Sequence, residues 1–291
     1  MTSDYHYDPA STPFAANAQG YHPNNALWLA AAANLAYENE ETTRSVAQTW
    51  GFDRFRFLNG DSHVQGEGIS VPVDTQGYVC CGKEALLIAF RGTEVAKIKD
   101  WFTDLMAIGV PAPSGVGKIH TGFAVGLGAV WPQLQQALAE QYHGQVPIWL
   151  TGHSLGGALA TLAAAQIRFN ANLPVQGLYT FGQPRVGDRK FTKFLMLAMP
   201  ERLVRFINNN DIVPQVPPPG IFLKYWHGDR EARFAPEENL TLDVPWWIRA
   251  RSLVKGSLTD VHKLGLDSFT DHSMDRYVAL TRRQASAAEP S

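Results

Sequence analysis

Residues 152–156 read Gly-His-Ser-Leu-Gly and place a serine hydroxyl between two glycines. The pattern Gly-x-Ser-x-Gly is typical of a strained turn that holds a nucleophilic serine where a strand ends and a helix begins. The sequence supplies that setting, with an apolar run at 146–150 and an alanine-rich stretch at 155–170. Ser154 is therefore the candidate nucleophile. The alternative is a glycine-rich turn whose serine only caps a helix. We expect His153 to point elsewhere in the turn and to pack beneath the serine.

A serine hydroxyl is a poor nucleophile at neutral pH and needs a base, which a carboxylate orients in turn. Asp211 follows an apolar run at 203–207, after three asparagines. The carboxyl end of a parallel strand is where such sheets place functional groups, so Asp211 is the candidate acid. The alternative is a turn-forming aspartate ahead of Pro214, because Asn-Asn-Asp-x-x-Pro is good turn chemistry by itself.

Three histidines follow Ser154 with room for an acid between: His227, His262 and His272. The chain order Ser, then Asp or Glu, then His fits any of them. His272 lies in a loop directly before the last helical segment, where the loop can fold back over the sheet, so it is the candidate base. His262 is its rival, whereas a pocket or core position suits His227 better.

Strand-like and helical segments alternate along the chain, which predicts an α/β fold with a mostly parallel central sheet and helices on both faces. Strands are predicted at 78–81, 85–90, 146–150, 175–181 and 203–207, and helices at 24–38, 122–142, 155–170, 188–197 and 274–283. The first two strands are expected to form a hairpin at one edge of the sheet.

Beyond residue 207 the pattern changes. Four prolines at 213–220 predict that the chain leaves the sheet in an extended loop, and the segment 225–267 lacks clear periodicity. We expect an irregular segment at 1–20, a single domain at 21–283 and a frayed tail at 284–291, because the candidate site residues must converge on one site.

The composition excludes several classes of protein. The 291 residues carry 25 Lys and Arg against 27 Asp and Glu, a net charge of −2 without the basic field that binds nucleic acid. No apolar stretch reaches the roughly 18 residues of a membrane span. Cys80 and Cys81 are adjacent, which predicts two free thiols, and the first ten residues do not resemble a signal peptide. These features favour a cytoplasmic location, with secretion as the alternative.

Five separated motifs, read together, resemble the class 3, or fungal-type, lipase family of the α/β-hydrolase fold. They are Ala-Phe-Arg-Gly-Thr at 89–93, Ile-His-Thr-Gly-Phe at 119–123, Gly-His-Ser-Leu-Gly-Gly at 152–157, Phe-Gly-Gln-Pro-Arg-Val-Gly at 181–187 and Asn-Asp-Ile-Val-Pro at 210–214. The resemblance extends from about residue 26 to about residue 280.

The resemblance implies Ser154 as nucleophile, Asp211 as acid and His272 as base. It also implies an oxyanion hole formed by the backbone N–H of Leu155 and by the N–H and hydroxyl of Thr93. The implied reaction is acyl transfer from a lipid ester through an acyl-enzyme, without a metal or other cofactor. Triacylglycerol is the first expectation for the substrate, and phospholipase A1 or small-ester activity is the alternative. A lipase-like binding module without catalysis is the remote alternative.

The resemblance further implies a mobile lid directly after Thr93. Apolar residues at helical spacing in the segment 94–110, together with Trp101 and Phe102, fit a lid whose apolar face meets an oil–water interface; an ordinary surface helix is the alternative. Trp246 and Trp247, beside basic residues in the segment 244–256, are a second candidate for lipid contact. Candidate pocket residues are His120, Tyr225 and His227. The oligomeric state stays open.

Overall fold

The computed structural model describes residues 12–66, 69–92, 109–208, 211, 213–215, 225–227, 230–235, 239–243 and 272–288. Its helices are α1 (Pro23–Leu35), α2 (Glu40–Thr49), α3 (Thr121–Gln141), α4 (Leu155–Phe169), α5 (Arg189–Ala198) and α6 (Met274–Ala288). Its strands are β1 (Phe52–Gly66), β2 (Ile69–Gly82), β3 (Leu86–Phe90), β4 (Gly109–Pro111), β5 (Lys118–His120), β6 (Ile148–His153), β7 (Val175–Phe181), β8 (Gly187–Asp188), β9 (Leu203–Asn208), β10 (Tyr225–Trp226), β11 (Arg230–Phe234) and β12 (Leu240–Leu242).

The central sheet has the strand order β1-β2-β3-β6-β7-β9-β11-β12. Strands β3, β6, β7, β9 and β11 pair in parallel, and the antiparallel strands β1, β2 and β12 lie at the two sides. Every residue of β3 and of β6 is buried, as expected for strands covered by helices on both faces. The predicted α/β architecture is confirmed.

Alternate residues of the sheet feed two hydrophobic cores. Leu86, Ile88 and Leu150 pack with residues of α3 and α4 on one face. Leu87 and Trp149 pack with residues of α1 and α6 on the other face. The alternation follows from the two-residue period of a strand, and it fixes which helices cover which face.

A second, smaller sheet has the order β10-β8-β5-β4, with antiparallel pairing. It joins segments that lie far apart in sequence and places His120, at the end of β5, beside Tyr225 of β10, with ring centroids 5.9 Å apart. Two of the candidate pocket residues therefore share one corner of the molecule.

The sheet is wider than the sequence predicts. Strand β1 pairs with β2 along their length, so the β2–β3 hairpin does not form the sheet edge. At the other side of the sheet, two strands that the sequence did not predict follow β9: β11 pairs in parallel with β9, and β12 pairs with β11. These outer strands carry many polar and charged residues, such as Arg54 and Arg230, so they lack the apolar runs by which buried strands are recognised.

Helix ends also differ from the prediction. Helix α1 ends at Leu35 rather than at residue 38, and α2 was not predicted. The closing helix α6 continues to Ala288, and Ala285 is buried in it, so the expected frayed tail from residue 284 is wrong over its first part. Within the described residues, no helix has the length and apolar character that crossing a membrane requires.

Candidate active site

Ser154 occupies a sharp turn between β6 and α4. Strand β6 ends at His153, helix α4 begins at Leu155, and Ser154 between them has φ 55° and ψ −126°. A positive φ is strained for a residue with a Cβ atom, and such strain is concentrated at functional sites. The N–H of Ser154 donates a hydrogen bond to the carbonyl of Phe181 at the end of β7, 2.9 Å away. The turn therefore holds Ser154 above the carboxyl end of the sheet.

The glycines around Ser154 are required by space. A Cβ atom on Gly152 would lie 2.3 Å from the backbone of Gly156, and a Cβ atom on Gly156 would lie 2.2 Å from the carbonyl oxygen of Phe90. Both distances are far below van der Waals contact with backbone atoms that side-chain rotation cannot move. The motif thus lets α4 start directly against β3 and β6, which is the packing that the turn needs.

Asp211 and His272 form a buried pair. The Nδ1 atom of His272 lies 3.0 Å and 2.9 Å from the two carboxylate oxygens of Asp211, and both side chains are almost completely excluded from solvent. Asp211 also accepts hydrogen bonds from the Tyr277 hydroxyl, at 2.7 Å, and from the N–H of Val213, at 3.0 Å. Three donors therefore fix the carboxylate, and the carboxylate orients the imidazole.

Gly182 brings this pair close to Ser154. It follows Phe181 with φ 58°, and its N–H donates to the carbonyl of Phe206. A Cβ atom on Gly182 would lie 2.7 Å from a carboxylate oxygen of Asp211 and 2.8 Å from Nδ1 of His272. Only glycine leaves room for Asp211 and His272 over the end of β7. Gly182 directly follows Phe181, whose carbonyl accepts the hydrogen bond from Ser154.

His272 keeps its second ring nitrogen for chemistry. The Nε2 atom is buried and makes no hydrogen bond within the described part of the structure. With Nδ1 bound to Asp211, Nε2 is the ring atom that can take and return a proton. Catalytic hydrogen bonds are commonly long in a free enzyme and shorten when substrate binds.

One predicted oxyanion donor lies within the described residues. Leu155 is the first residue of α4, and its N–H is among the unpaired donors at the positive end of that helix. Thr93 lies outside the described residues. Gly92, directly before it, passes close to the turn, because a Cβ atom there would lie 3.0 Å from Cβ of Ser154 and 2.5 Å from the carbonyl of His153.

His153 contacts His272, the candidate base, which the sequence did not predict. Its Nε2 atom lies 2.7 Å from the carbonyl oxygen of His272, and the two imidazole rings pack with centroids 4.4 Å apart. Its Nδ1 atom lies 2.7 Å from the hydroxyl of Tyr37. Burial, and then the neighbouring His272, hold the pKa of His153 well below its usual value, so this imidazole stays neutral.

The candidate pocket residues lie around the small sheet. His120 is buried and caps α3, where its Nδ1 accepts a hydrogen bond from the N–H of Gly122. His227 is hydrogen-bonded through Nε2 to the carbonyl of Pro214 at 2.6 Å. A surface cavity includes His227 and the half-exposed Trp226 in its lining, but neither Ser154 nor His272.

Trp101, Phe102, Trp246, Trp247 and the rival base His262 lie outside the described residues. Among the described residues, no group of three or more His, Cys, Asp and Glu side chains has an arrangement that could hold a metal ion.

The sequence did not identify Tyr37, Tyr277 or Gly182 as parts of the site. Gly182 lies in the motif at 181–187. A glycine directly after the predicted strand 175–181 was the sequence feature that could have indicated it. Tyr277 lies in the predicted closing helix 274–283, and no motif there distinguishes it from a core residue. No sequence pattern indicates Tyr37, which meets His153 across 116 positions of chain.

Residues 87–220 match the family model described as lipase (class 3). Over this segment the chain is similar to the class 3 lipase family. The predicted family resemblance is confirmed.

Two curated relatives and one solved structure illustrate the similarity. The chain is 32% identical over 237 residues to triacylglycerol lipase OBL1 of Arabidopsis thaliana, an alignment that covers 64% of the chain and 44% of the relative. It is 32% identical over 174 residues to phospholipase A1-II 1 of Oryza sativa subsp. indica, covering 51% and 43%. The chain thus spans less than half the length of these curated relatives.

The solved structure of the triacylglyceride lipase of Rhizomucor miehei superposes with a TM-score of 0.62 at 26% identity, covering 89% of this chain and 96% of that one. The predicted α/β-hydrolase fold is confirmed by this likeness together with the parallel sheet and its two helical layers.

Proposed function

We propose that the protein is a serine carboxylester hydrolase that cleaves lipid esters, with triacylglycerol as its principal substrate. The observation that carries the proposal is the buried pair of Asp211 and His272 beside the strained turn of Ser154. A buried carboxylate bonded to one imidazole nitrogen, with the other nitrogen left for proton transfer, is the arrangement that activates a serine.

The proposed reaction proceeds through an acyl-enzyme. Ser154 Oγ attacks the ester carbonyl carbon while Nε2 of His272 takes the hydroxyl proton, and the tetrahedral intermediate then expels the alcohol, which receives that proton. Water repeats the attack on the acyl-serine with His272 as base, and the fatty acid leaves. Asp211 stabilises the imidazolium that forms in each step.

The N–H of Leu155 and the N–H and hydroxyl of Thr93 are proposed to bind the oxyanion. The start of α4 supports the first assignment, because its N–H is aimed out of the helix and carries partial positive charge. The close approach of Gly92, the residue before Thr93, to Ser154 supports the second assignment. One such donor is worth about 10²–10³ in turnover.

The relative from Arabidopsis thaliana is named triacylglycerol lipase, which supports triacylglycerol as the substrate. The relative from Oryza sativa is named phospholipase A1, and it favours phospholipid esters as the second candidate. Small-ester hydrolysis uses the same three side chains. A non-catalytic binding module is disfavoured, since nothing in binding alone requires a strained serine beside a bonded aspartate–histidine pair.

The remaining site assignments concern lipid contact. The segments 94–110 and 244–256, with Trp101, Phe102, Trp246 and Trp247, are proposed to form the lid and the lipid-contacting rim. His120, Tyr225 and His227 are proposed as pocket residues. A single domain at 21–283 is consistent with β1 and β12 belonging to one continuous sheet.

The nucleophile is tested by replacing Ser154 with Ala and measuring hydrolysis of a p-nitrophenyl ester. Activity should fall by about 10⁵–10⁶, because removing the nucleophile leaves only oxyanion and binding effects. Ser114→Ala, which removes the hydroxyl of a half-buried serine in a turn, is the matched control and should retain full activity. Substantial hydrolysis by the Ser154→Ala protein with an unchanged circular dichroism spectrum would overturn the assignment.

The substrate class is tested by a triglyceride series from tributyrin to triolein set against phosphatidylcholine vesicles. Triglyceride emulsions should be turned over faster than phosphatidylcholine, and faster than the same ester below its solubility limit. Preferential release of fatty acid from phosphatidylcholine would replace triacylglycerol by the phospholipid alternative.

A further inference from the structure

The backbone of His272 has a hydrogen-bond partner of its own, separate from the Asp211 carboxylate that binds its side chain. Asp211 fixes the imidazole of His272 at Nδ1, whereas the carbonyl oxygen of His272 lies 2.7 Å from Nε2 of His153. His153 belongs to β6 and is rigidly placed, since β6 pairs with both β3 and β7. The contact therefore ties the peptide that carries His272 directly to the strand that carries Ser154.

The direction of each hydrogen bond follows from the partners. A backbone carbonyl only accepts, so Nε2 of His153 must carry the proton and donate it to His272. A neutral imidazole has one N–H, so its Nδ1 atom is an acceptor and the hydroxyl of Tyr37 donates to it at 2.7 Å. Tyr37 therefore selects the tautomer of His153 that can bind the carbonyl of His272.

The hydroxyl of Tyr37 is fixed in turn by Gly92, the residue before Thr93, the second proposed oxyanion donor. Its hydroxyl oxygen accepts a hydrogen bond from the N–H of Gly92, and burial raises the pKa of this hydroxyl, so it remains a donor. One directed chain of hydrogen bonds therefore runs from Gly92 through Tyr37 and His153 to His272. It connects the segment before Thr93, the segment before Ser154 and the base.

We propose that His153 is a positioning residue for His272, and that Tyr37 holds His153 in the tautomer that this role requires. The inference rests on the proposed function of His272 as the base. A histidine that only filled space beneath the turn would need neither hydrogen bond, and an apolar ring could replace it. A misplacement of about 1 Å in a catalytic group costs about 10² in rate, so the anchoring has kinetic consequences.

Tyr37→Phe is the first test, with Tyr78→Phe as the matched control. Both substitutions remove one buried tyrosine hydroxyl close to α1, and the Tyr78 hydroxyl donates instead to the carbonyl of Ala32, 3.0 Å away. With a monomeric p-nitrophenyl ester, Tyr37→Phe should lower kcat and kcat/KM together by about tenfold, with KM unchanged. A tenfold change corresponds to the net free energy of one neutral hydrogen bond. Tyr78→Phe should leave both constants within twofold of the parent while its melting temperature falls.

His153→Phe and His153→Gln form the second test. The phenylalanine keeps a ring against His272 but donates nothing, and kcat should fall by about 10². The glutamine amide can donate to the same carbonyl, so it should recover a large part of that loss. The rate at which a p-nitrophenyl alkylphosphonate labels Ser154 should follow the same order, because formation of that bond also requires the base.

Parallel losses of kcat in the Tyr37→Phe and Tyr78→Phe proteins would overturn the inference, since they would reflect stability alone. Equal kcat values in the His153→Phe and His153→Gln proteins would overturn it as well, because they would show that the donor is irrelevant. Failure of the proposed function has a different signature: the Ser154→Ala protein would still hydrolyse the ester.

Discussion

At the scale of single residues, the candidate site depends on the hydrogen bonds that the carboxylate of Asp211 accepts. Its carboxylate accepts from His272, Tyr277 and the N–H of Val213, and Tyr277 in turn accepts from the N–H of Asn208. Burial, and then the charge of Asp211, raise the pKa of the Tyr277 hydroxyl well above its usual value, so it stays protonated and donates. A buried carboxylate with three donors has one preferred orientation, and the imidazole inherits it.

Replacing Tyr277 with Phe should therefore lower kcat by about tenfold with little change in KM, because one of the hydrogen bonds that orient Asp211 is lost. Steady-state hydrolysis of a monomeric ester measures the effect. Tyr179→Phe is the matched control, since it also removes a buried hydroxyl, one that donates to the carbonyl of Gly20 away from the site. An unchanged kcat in the Tyr277→Phe protein would show that the other two donors suffice.

At the scale of elements, the turn between β6 and α4 depends on close backbone contact. Helix α4 begins so near β3 that Gly156 has no room for a methyl group beside the carbonyl of Phe90. The same helix is rich in buried alanine, whose small side chain lets neighbouring elements approach its axis closely. The strain at Ser154 is maintained because the strand before it and the first three turns of the helix after it are buried.

Gly156→Ala should destabilise the protein by about 1–3 kcal/mol or more, as overpacking of a rigid core does, and should abolish ester hydrolysis. Gly128→Ala is the control: it lies in α3, where an added Cβ atom meets nothing within 4 Å. That substitution should stabilise the protein by about 0.5–1 kcal/mol through helix propensity. Urea unfolding monitored by tryptophan fluorescence measures both, and equal effects of the two variants would contradict the close-contact explanation.

At the scale of the whole molecule, residues 12–20 are fastened to the fold by side chains of the core. Trp28 donates to the carbonyl of Thr12, Trp149 to that of Ala16, and Tyr179 to that of Gly20. The segment has no helix or strand, which agrees with the prediction of an irregular start. These three of its carbonyl groups nevertheless accept hydrogen bonds from side chains of the core. It thus closes the face of the sheet that α1 and α6 cover.

Asn25 provides a test of this closure, because its buried amide both donates to and accepts from the backbone of Ala15. Asn25→Ala should lower the free energy of unfolding by about 1–3 kcal/mol, since two partly buried backbone groups lose their partner. The neighbouring Asn24→Ala removes only a long, exposed hydrogen bond to Pro13 and should change stability by less than about 0.5 kcal/mol. Equal unfolding midpoints for the two variants would show that the segment contributes nothing to stability.

The sequence by itself determined the fold class, the family and the candidates Ser154, Asp211 and His272, because these depend on local patterns. An apolar run, a Gly-x-Ser-x-Gly turn and an aspartate after a strand can each be recognised within a few residues of sequence. The polar outer strands β1, β11 and β12 carried no such pattern, so their place in the sheet depended on pairing with distant strands.

Only the tertiary structure brought Tyr37, His153 and Tyr277 to His272 and Asp211. Tyr37 and His153 are separated by 116 positions, and Tyr277 and Asp211 by 66. A hydrogen bond between such residues is decided by the packing of α1 and α6 on one face of the sheet, which no short stretch of sequence records. The sequence identified the groups able to do the chemistry, and the packing of the helices decided which further side chains hold them in place.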